Sequence, residues 1–287
     1  MAKVGEVYND ALKISKDYDI SGADIRRLIA YDEGFHEQID VIFNRDKEMK
    51  EENLFYSQLE KLKEGAPVEY IMHEASFLQD KLYVDENVLI PRGETEELVA
   101  NITERIRNYY DPRNYLVAAD IGTGSGAIAL KLKQYFPNWM ISASDISEKA
   151  LKVAKSNFDR YNQPIEVLQG DSLEPFLKNN QKLDIIVSNP PYICNKEDAQ
   201  PSVRDYEPAN ALWLDKSDSV YEKIFKNAYK VKKHALFMAF EISPDLVDWL
   251  TELMNKYLHD FEYEFVDDLN NMKRFLFVFL KDEDANN

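Results

Sequence analysis

The chain has 287 residues, of which 45% are hydrophobic, and a formal net charge of −17 at pH 7. That size suffices for a full α/β core beside a second, smaller unit. The acidic balance and the scattered Lys and Arg residues argue against a dedicated nucleic-acid binder, because phosphate contacts supply most nucleic-acid affinity. The single cysteine, Cys194, excludes an intrachain disulfide framework and a cysteine-cluster metal site.

Further features of the composition predict a cytoplasmic protein that needs no metal ion. The first residues contain no apolar signal core, and no apolar run approaches the length of a membrane span. The four histidines are scattered and show no metal-ligand spacing. We therefore expect a protein that is not bound to a membrane. We also expect a monomer.

Residues 1–75 are predicted to form a small helical domain, because apolar residues recur there at helical spacing. Ser21 is typical of a helix start, and Gly34 and Gly65 are typical of helix ends or turns. In residues 76–92 apolar and polar residues alternate in short pieces, which predicts a β-hairpin linker.

Residues 93–287 are predicted to form an α/β domain, which begins with an amphipathic helix through about Tyr110. Apolar strand candidates then alternate with helical stretches, as in a doubly wound, Rossmann-like sheet. The strand candidates are Leu116–Ile121, Met140–Asp145, Ile165–Gln169, Leu183–Ser188, Ala235–Ile242, Phe261–Val266 and Phe275–Leu280. A loop joins the last two, so we expect them to pair as an antiparallel hairpin at the edge of the sheet.

A glycine-rich turn follows the first of these strands, where glycines allow a ligand to approach backbone N–H groups closely. Its residues are Asp120, Ile121, Gly122, Thr123, Gly124, Ser125 and Gly126. Asp145 ends the second strand, where an acidic residue about twenty positions beyond such a turn can hold ribose hydroxyls. Asp171 follows the third strand, where it can accept a hydrogen bond from an adenine amino group, with Ser172 beside it. These features predict a cofactor that contains a nucleoside.

The fourth strand ends in Asn189-Pro190-Pro191-Tyr192. An amide or aromatic amine is a poor nucleophile, and a site that methylates it must hold its N–H groups with acceptors. The Asn189 side-chain oxygen and the Pro190 carbonyl are acceptors of that kind, and the two prolines restrict the backbone. Tyr192 offers a π face to a cationic sulfonium or its methyl group.

The two motifs together resemble those of S-adenosylmethionine-dependent methyltransferases of the seven-stranded type, called class I. Four further stretches, in family order, are similar to the release-factor glutamine methyltransferases, the PrmC/HemK group. These stretches are Gly65–Ile71, Ile90–Glu96, the cofactor turn continued through Leu130, and Val203–Pro208. The resemblance implies a seven-stranded Rossmann-like class I methyltransferase domain behind a small N-terminal helical domain and a β-hairpin linker.

The resemblance also implies an activity: methyl transfer from S-adenosylmethionine to the glutamine amide in the GGQ motif of peptide chain release factors. Asn189, Pro190 and Tyr192 would be the catalytic residues. The implied substrate-binding residues are Asn189, Pro190, Pro191, Tyr192, Arg92 and Glu94. The implied cofactor-binding residues are Asp120, Gly122, Thr123, Gly124, Ser125, Gly126, Asp145, Asp171, Ser172 and Asn189.

An adenine-N6 or guanine-N2 methyltransferase acting on DNA or RNA is the alternative, because it needs the same acceptors. Its support is a basic patch, which we interpret as lysines along a solvated helix. These lysines are Lys223, Lys226, Lys230, Lys232 and Lys233. The chain also departs from the family pattern at four positions, with effects that the sequence does not define: Gly93, Ser172, Ser243 and Asp268.

Overall fold

The computed structural model describes residues 2–111 and 113–282, which form two compact units. The smaller unit comprises the chain up to Glu74 together with Gln200–Tyr206. The larger comprises Ala75–Ala199 and the chain from Glu207 onward. Of the residues included in the predicted domains, Met1, Pro112 and 283–287 lie outside the described residues.

Helices and strands follow one another along the chain much as the sequence pattern predicts. The helices are α1 (Val4–Ile14), α2 (Gly22–Glu33), α3 (Asp40–Phe43), α4 (Glu52–Lys63), α5 (Val68–Met72), α6 (Gly93–Arg105), α7 (Ala127–Tyr135), α8 (Glu148–Arg160), α9 (Glu174–Lys178), α10 (Pro201–Tyr206), α11 (Ala209–Leu212), α12 (Val220–Val231) and α13 (Val247–Tyr257). The strands are β1 (Ala75–Phe77), β2 (Asp80–Leu82), β3 (Val117–Ile121), β4 (Met140–Asp145), β5 (Glu166–Gln169), β6 (Leu183–Ser188), β7 (Lys232–Glu241), β8 (Phe261–Asp267) and β9 (Lys273–Leu280).

The smaller unit is helical, and its helix α2 begins and ends at recognisable capping residues. Ser21 caps α2, because its hydroxyl oxygen accepts a hydrogen bond from the Asp24 backbone N–H at 3.0 Å. Gly34 ends the same helix with a φ of 66°. The apolar faces of α2 and α4 meet in a core whose side chains include the fully buried Leu28 and Phe55. Burial of these faces stabilises helices that are too short to persist alone.

The predicted hairpin is confirmed, but its strands are shorter than the alternation suggested. β1 and β2 pair antiparallel, with Ala75 opposite Leu82. Directly after the hairpin, the side chain of Asn157 forms two hydrogen bonds with the backbone of Tyr83. The Tyr83 N–H donates to Asn157 Oδ1 at 2.7 Å, and Asn157 Nδ2 donates to the Tyr83 carbonyl at 3.0 Å.

The larger unit is built on one seven-stranded sheet with the order β5-β4-β3-β6-β7-β9-β8. Strands β5, β4, β3, β6 and β7 are parallel, whereas β9 is antiparallel to both β7 and β8. The predicted class, a doubly wound Rossmann-like sheet, is confirmed. The antiparallel pairing of the last two strands is also confirmed, although β9 lies inside the sheet and β8 forms the edge.

Two apolar cores cover the faces of this sheet, so that β3 and β6 are buried along their whole length. The order of strands reverses between β3 and β6. The carboxyl ends of these two strands therefore border the crevice in which open α/β sheets bind ligands. Among residues 2–111 and 113–282, no helix combines the length and the apolar character that crossing a membrane requires.

Candidate active site

The glycine-rich turn lies at the carboxyl end of β3. The backbone N–H groups of Gly122 and Thr123 donate to the Ser144 carbonyl at 2.8 and 2.9 Å, which ties the turn to β4. Gly124 has a φ of 54°, a conformation that L-residues other than glycine rarely adopt. A Cβ added at Gly122 or Gly124 would meet no atom within 4 Å. The turn therefore presents an open backbone surface.

The buried side chain of Asp120 supports this turn through hydrogen bonds. Its Oδ2 accepts from Thr123 Oγ1 at 2.6 Å and from the Ala129 N–H at 3.1 Å. The residue is 1% exposed, and burial raises the pKa of its carboxyl group to about 7. Its other oxygen, Oδ1, has no hydrogen-bond partner among the residues that the structure describes. Asp120 thus supports the turn and does not line the cleft above it.

Replacing Asp120 with asparagine is expected to make the protein progressively more stable than the wild type as pH rises. The pKa of Asp120 in the folded protein, about 7, exceeds its ordinary value of 3.8. Between these values the folded protein binds more protons than the unfolded chain, so the wild type loses stability as pH increases. The neutral amide of Asp120→Asn removes this loss.

Denaturant unfolding at about pH 5 and about pH 8 measures the effect on the unfolding free energy. We expect the difference between variant and wild type to shift by about 2 kcal/mol in favour of the variant over that range. A difference that is the same at both pH values contradicts the assignment of a raised pKa to Asp120.

Asp145 lies at the end of β4, beside the glycine-rich turn. Its Oδ2 accepts from the Gly124 N–H at 3.0 Å, and its Oδ1 accepts from the Ser147 N–H at 2.9 Å. Burial raises the pKa of the Asp145 carboxyl group. The carboxylate is thereby fixed at the wall of the cleft, where its remaining lone pairs can accept from a pair of hydroxyls.

The corner after β5 differs from the expectation, because Asp171 has a charged partner. Lys223 Nζ, on α12, lies 2.6 Å from Asp171 Oδ2 and 2.8 Å from Asp218 Oδ1. Lys223 is therefore held by two carboxylates, which differs from our interpretation of the basic patch as solvated lysines. Ser172 lines the cleft with a φ of 52°, and its buried Oγ has no hydrogen-bond partner among the described residues.

Asn189 and the two prolines border the cleft at the end of β6. Asn189 Nδ2 donates to Thr95 Oγ1 at 3.1 Å, and Thr95 Oγ1 donates to Glu241 Oε2 at 2.7 Å. The preceding residue, Ser188, donates from its hydroxyl to the Ile121 carbonyl at 2.6 Å. These contacts hold the start of the loop against β3 and the first turn of α6.

Tyr192 does not line the cleft. Its hydroxyl donates to Glu241 Oε1 at 3.1 Å, and its ring packs against the apolar core on that face of the sheet. Burial raises the pKa of the Tyr192 hydroxyl. Glu241 ends β7 and is fully buried, which raises the pKa of its carboxyl group to about 7. We did not predict a role for Glu241 or Thr95. The sequence signal that could have identified Glu241 was a glutamate at the end of an apolar strand.

Two further predicted residues, Arg92 just before α6 and Glu94 in its first turn, also lie outside the lining of the cleft. Arg92 pairs with Glu207, whose side chain is 1% exposed, and the Ile90 N–H donates to Glu207 Oε2 at 3.2 Å. This ion pair joins two of the family-like stretches that are distant in sequence. Glu94 lies in the first turn of α6 and is partly exposed.

One cleft thus collects most of the predicted site residues: Gly122, Thr123, Gly124, Ser125, Asp145, Asp171, Ser172, Asn189, Pro190 and Pro191. The predicted residues outside its lining are Asp120, Gly126, Tyr192, Arg92 and Glu94. Among the described residues, no group of three or more His, Cys, Asp or Glu side chains is arranged to hold a metal ion.

The fold and the cleft define the class of protein: an α/β methyltransferase of class I. A 16S rRNA methyltransferase of Thermus thermophilus (RsmC), in complex with AdoMet and guanosine, superposes with a TM-score of 0.52 and 16% identity, covering 73% of this chain and 50% of that one. The human METTL16 catalytic domain in complex with an RNA hairpin gives a TM-score of 0.51 and 16% identity, covering 71% and 76%. At these identities the likeness concerns the fold alone. Residues 100–205 match the family model described as "Methyltransferase small domain".

Relatives in sequence identify the family. The release factor glutamine methyltransferase of Bacillus subtilis is 38% identical over 253 residues, 86% of this chain and 87% of the relative. Those of Flavobacterium psychrophilum and Streptococcus pneumoniae are each 38% identical, over 78% and 76% of this chain and 81% and 78% of the relative. The chain belongs to the release factor glutamine methyltransferase family, as the resemblance in its motifs predicted.

Proposed function

We propose that this protein transfers a methyl group from S-adenosylmethionine to the side-chain amide nitrogen of the glutamine in the GGQ motif of peptide chain release factors. The observation that carries the proposal is that Asn189 and Pro190 border the same cleft as the glycine-rich turn. Acceptors for an amide therefore lie next to the backbone that binds the cofactor. The names of the relatives support the release factor as the substrate.

The lining of the cleft fits S-adenosylmethionine. Asp145 offers a fixed carboxylate for the ribose hydroxyls, and Gly122 and Gly124 leave room for close approach to their backbone. Asp171 and Ser172 supply hydrogen-bonding groups for the adenine, and Ser172 Oγ has no hydrogen-bond partner within residues 2–111 and 113–282. When bound, this cofactor supplies a methyl group activated by its sulfonium.

The chemical task of the protein is to orient the glutamine amide. Asn189 Oδ1 and the Pro190 carbonyl accept hydrogen bonds from the two N–H groups of the amide, which leaves the face of its nitrogen exposed for reaction. No catalytic base is required, because the amide N–H becomes acidic once the nitrogen is alkylated and its proton can leave to water. Rate enhancement then comes from orientation and from polarisation of the amide.

The alternative substrate, DNA or RNA, finds little support in the charges of the larger unit. Lys223 is paired with Asp171 and Asp218, and Lys233 Nζ lies 3.3 Å from Asp184 Oδ2. Lysines that are neutralised in this way do not form a continuous phosphate-binding surface.

The helical unit of residues 1–75 is proposed to dock the release factor, and Phe43, which is 78% exposed there, can contribute apolar contact area.

The decisive test is transfer of label from methyl-labelled S-adenosylmethionine. Substrates are purified release factor, the same protein with the GGQ glutamine changed to alanine, a short GGQ peptide, DNA and RNA. We expect label in the unmodified release factor, and in the GGQ peptide at a much higher KM because the peptide lacks the docking contacts. We expect no label in the alanine variant, in DNA or in RNA. Label in nucleic acid, or in the alanine variant, contradicts the substrate; an equal KM for peptide and protein contradicts docking by the helical unit.

Asp145→Ala is expected to weaken S-adenosylmethionine binding by about tenfold or more. The change removes the acceptor for the ribose hydroxyls and leaves the Gly124 and Ser147 N–H groups without their partner. Isothermal titration calorimetry measures the Kd. Asp159→Ala, an exposed aspartate on α8, is the matched control and should bind as the wild type does. Equal affinities of the two variants would remove Asp145 from the cofactor site.

A further inference from the structure

A buried relay of hydrogen bonds connects Asn189 to the end of β7. Asn189 Nδ2 donates to Thr95 Oγ1, which in turn donates to Glu241 Oε2. The second oxygen of Glu241 accepts from the Tyr192 hydroxyl. Thr95 is 5% exposed and Glu241 is fully buried, so bulk water does not compete for these bonds. One carboxyl group therefore holds both ends of the Asn189–Tyr192 loop.

The number of hydrogens in the relay fixes its direction. A threonine hydroxyl carries one hydrogen, and a carboxylate carries none. The Thr95 hydrogen is used in the bond to Glu241, so that only lone pairs of Thr95 Oγ1 face Asn189. Those lone pairs can be satisfied by the NH₂ end of the Asn189 carboxamide and not by its oxygen. The oxygen is thereby assigned to the opposite side of the planar amide group.

We propose that Glu241 is a positioning residue for methyl transfer: through Thr95 it holds the Asn189 carboxamide with its oxygen available to the substrate amide. This inference rests on the proposed function. Without the relay, the carboxamide can rotate by half a turn and present NH₂ to the N–H groups of the glutamine. A donor would then face a donor, and the substrate amide would lose one of its two acceptors.

Protonation of Glu241 is expected to reverse the relay. A protonated carboxyl group can donate to Thr95 Oγ1, whose own hydrogen is then released toward Asn189. A Thr95 hydroxyl that donates to Asn189 selects the oxygen of the carboxamide and turns the NH₂ group toward the substrate. Methyl transfer should therefore require the ionised form of Glu241.

The groups around Glu241 place its pKa in a pH range in which enzyme activity can be measured. Burial raises the pKa of Glu241 to about 7, with hydrogen bonds and Arg274 opposing the effect and Glu94 adding to it. The Tyr192 hydroxyl faces the side chain, and the Tyr221 hydroxyl donates to the Glu241 carbonyl at 2.6 Å. Both tyrosines have a raised pKa and remain neutral in this range. We expect kcat to decrease as pH falls through about 7.

The first test removes the relay hydroxyl without changing the size of the side chain. Thr95→Val should lower kcat for the release factor by roughly tenfold to a hundredfold, because the amide acceptor is no longer oriented. The Kd for S-adenosylmethionine should change little, whereas the melting temperature should fall modestly because Glu241 Oε2 loses a buried hydrogen-bond donor. Thr95→Ser, which keeps the hydroxyl, should restore turnover. Thr103→Val on the same helix, where the hydroxyl donates to the Ala100 carbonyl of the preceding turn, is the matched control.

The second test uses the pH profile of kcat at saturating S-adenosylmethionine. Glu241→Gln cannot ionise, but its oxygen can still accept from Thr95 while its NH₂ donates to the Tyr192 oxygen. We expect this variant to turn over at neutral pH and to lack the decrease near pH 7 that the wild type shows. A profile identical to that of the wild type overturns the inference, and this holds even if Thr95→Val does not fold.

Different results would contradict the proposed function and the positioning role of Glu241. A wild type that does not methylate the release factor overturns the proposed function itself. A wild type that does, with Thr95→Val and Thr103→Val equally active, leaves the function intact and overturns only the positioning role of Glu241.

Discussion

Asn189→Ala is expected to reduce kcat/KM for release-factor methylation by about 10²–10³-fold, equivalent to about 3–4 kcal/mol in the barrier. The variant lacks the side-chain acceptor for the glutamine amide, and Thr95 loses the donor that now lies 3.1 Å from its oxygen. Pro190 retains its carbonyl, so that substrate binding is weakened less than the chemical step. Transfer of labelled methyl groups under single-turnover conditions measures the loss directly.

A control separates this effect from general damage to the fold. Asn179→Ala removes an exposed asparagine at the end of α9 and should be as active as the wild type. The melting temperature of Asn189→Ala should stay close to that of the wild type, because the side chain is only partly buried. Turnover by Asn189→Ala within a factor of about three of the wild type would falsify the role of this acceptor.

Gly126→Ala is expected to destabilise the protein by about 2–5 kcal/mol and to abolish cofactor binding. Two effects combine at this position, where the glycine-rich turn enters α7. The backbone has a φ of 83°, and an added Cβ would lie 2.5 Å from Cε1 of Phe158, a ring that is 1% exposed and cannot move aside. Denaturant unfolding and calorimetric titration with S-adenosylmethionine measure the two losses.

Alanine substitutions at two other glycines distinguish backbone strain from a steric clash of the new Cβ. Gly124→Ala has a φ of 54° but no atom within 4 Å of the new Cβ, so it should cost only about 1–2 kcal/mol. Gly93→Ala has neither problem and should be neutral. Combining Gly126→Ala with Phe158→Leu should recover part of the lost stability because the rigid ring is removed. If Gly126→Ala is no less stable than Gly124→Ala, the clash between the new Cβ and the Phe158 ring does not contribute to the loss of stability.

The secondary structure and the ligand-binding edge were predictable because local sequence determines them. Ser21 caps α2 where its hydroxyl reaches a nearby N–H group, and Leu183–Ser188 is a strand because its apolar run must be buried on both faces of a parallel sheet. Parallel strands also bring their carboxyl ends to one edge. The glycine-rich turn, Asp145 and Asn189 could therefore be placed in one cleft without knowledge of any side-chain contact.

The side-chain partners were not predictable, because they join segments far apart in the chain. Nothing local to Asp171 indicates Lys223, and nothing local to Arg92 indicates Glu207. Tyr192 was expected beside the substrate; in the structure its hydroxyl donates to a carboxylate from another strand. A buried carboxyl group of this kind is detectable only when the strands around it have been assembled, since its cost of burial depends on all its neighbours.

The position of β9 between β7 and β8 constrains when a newly made enzyme becomes competent. β8 is synthesised first, but its partner in the sheet is β9, and β9 also covers the side of β7 that faces away from β6. During translation, therefore, β7 lacks a neighbour on that side and β8 remains unpaired until β9 has left the exit tunnel of the ribosome. Glu241, at the end of β7, is fixed in the same step. We expect the nascent chain to acquire methyl-transfer activity only after release of this last strand from the exit tunnel.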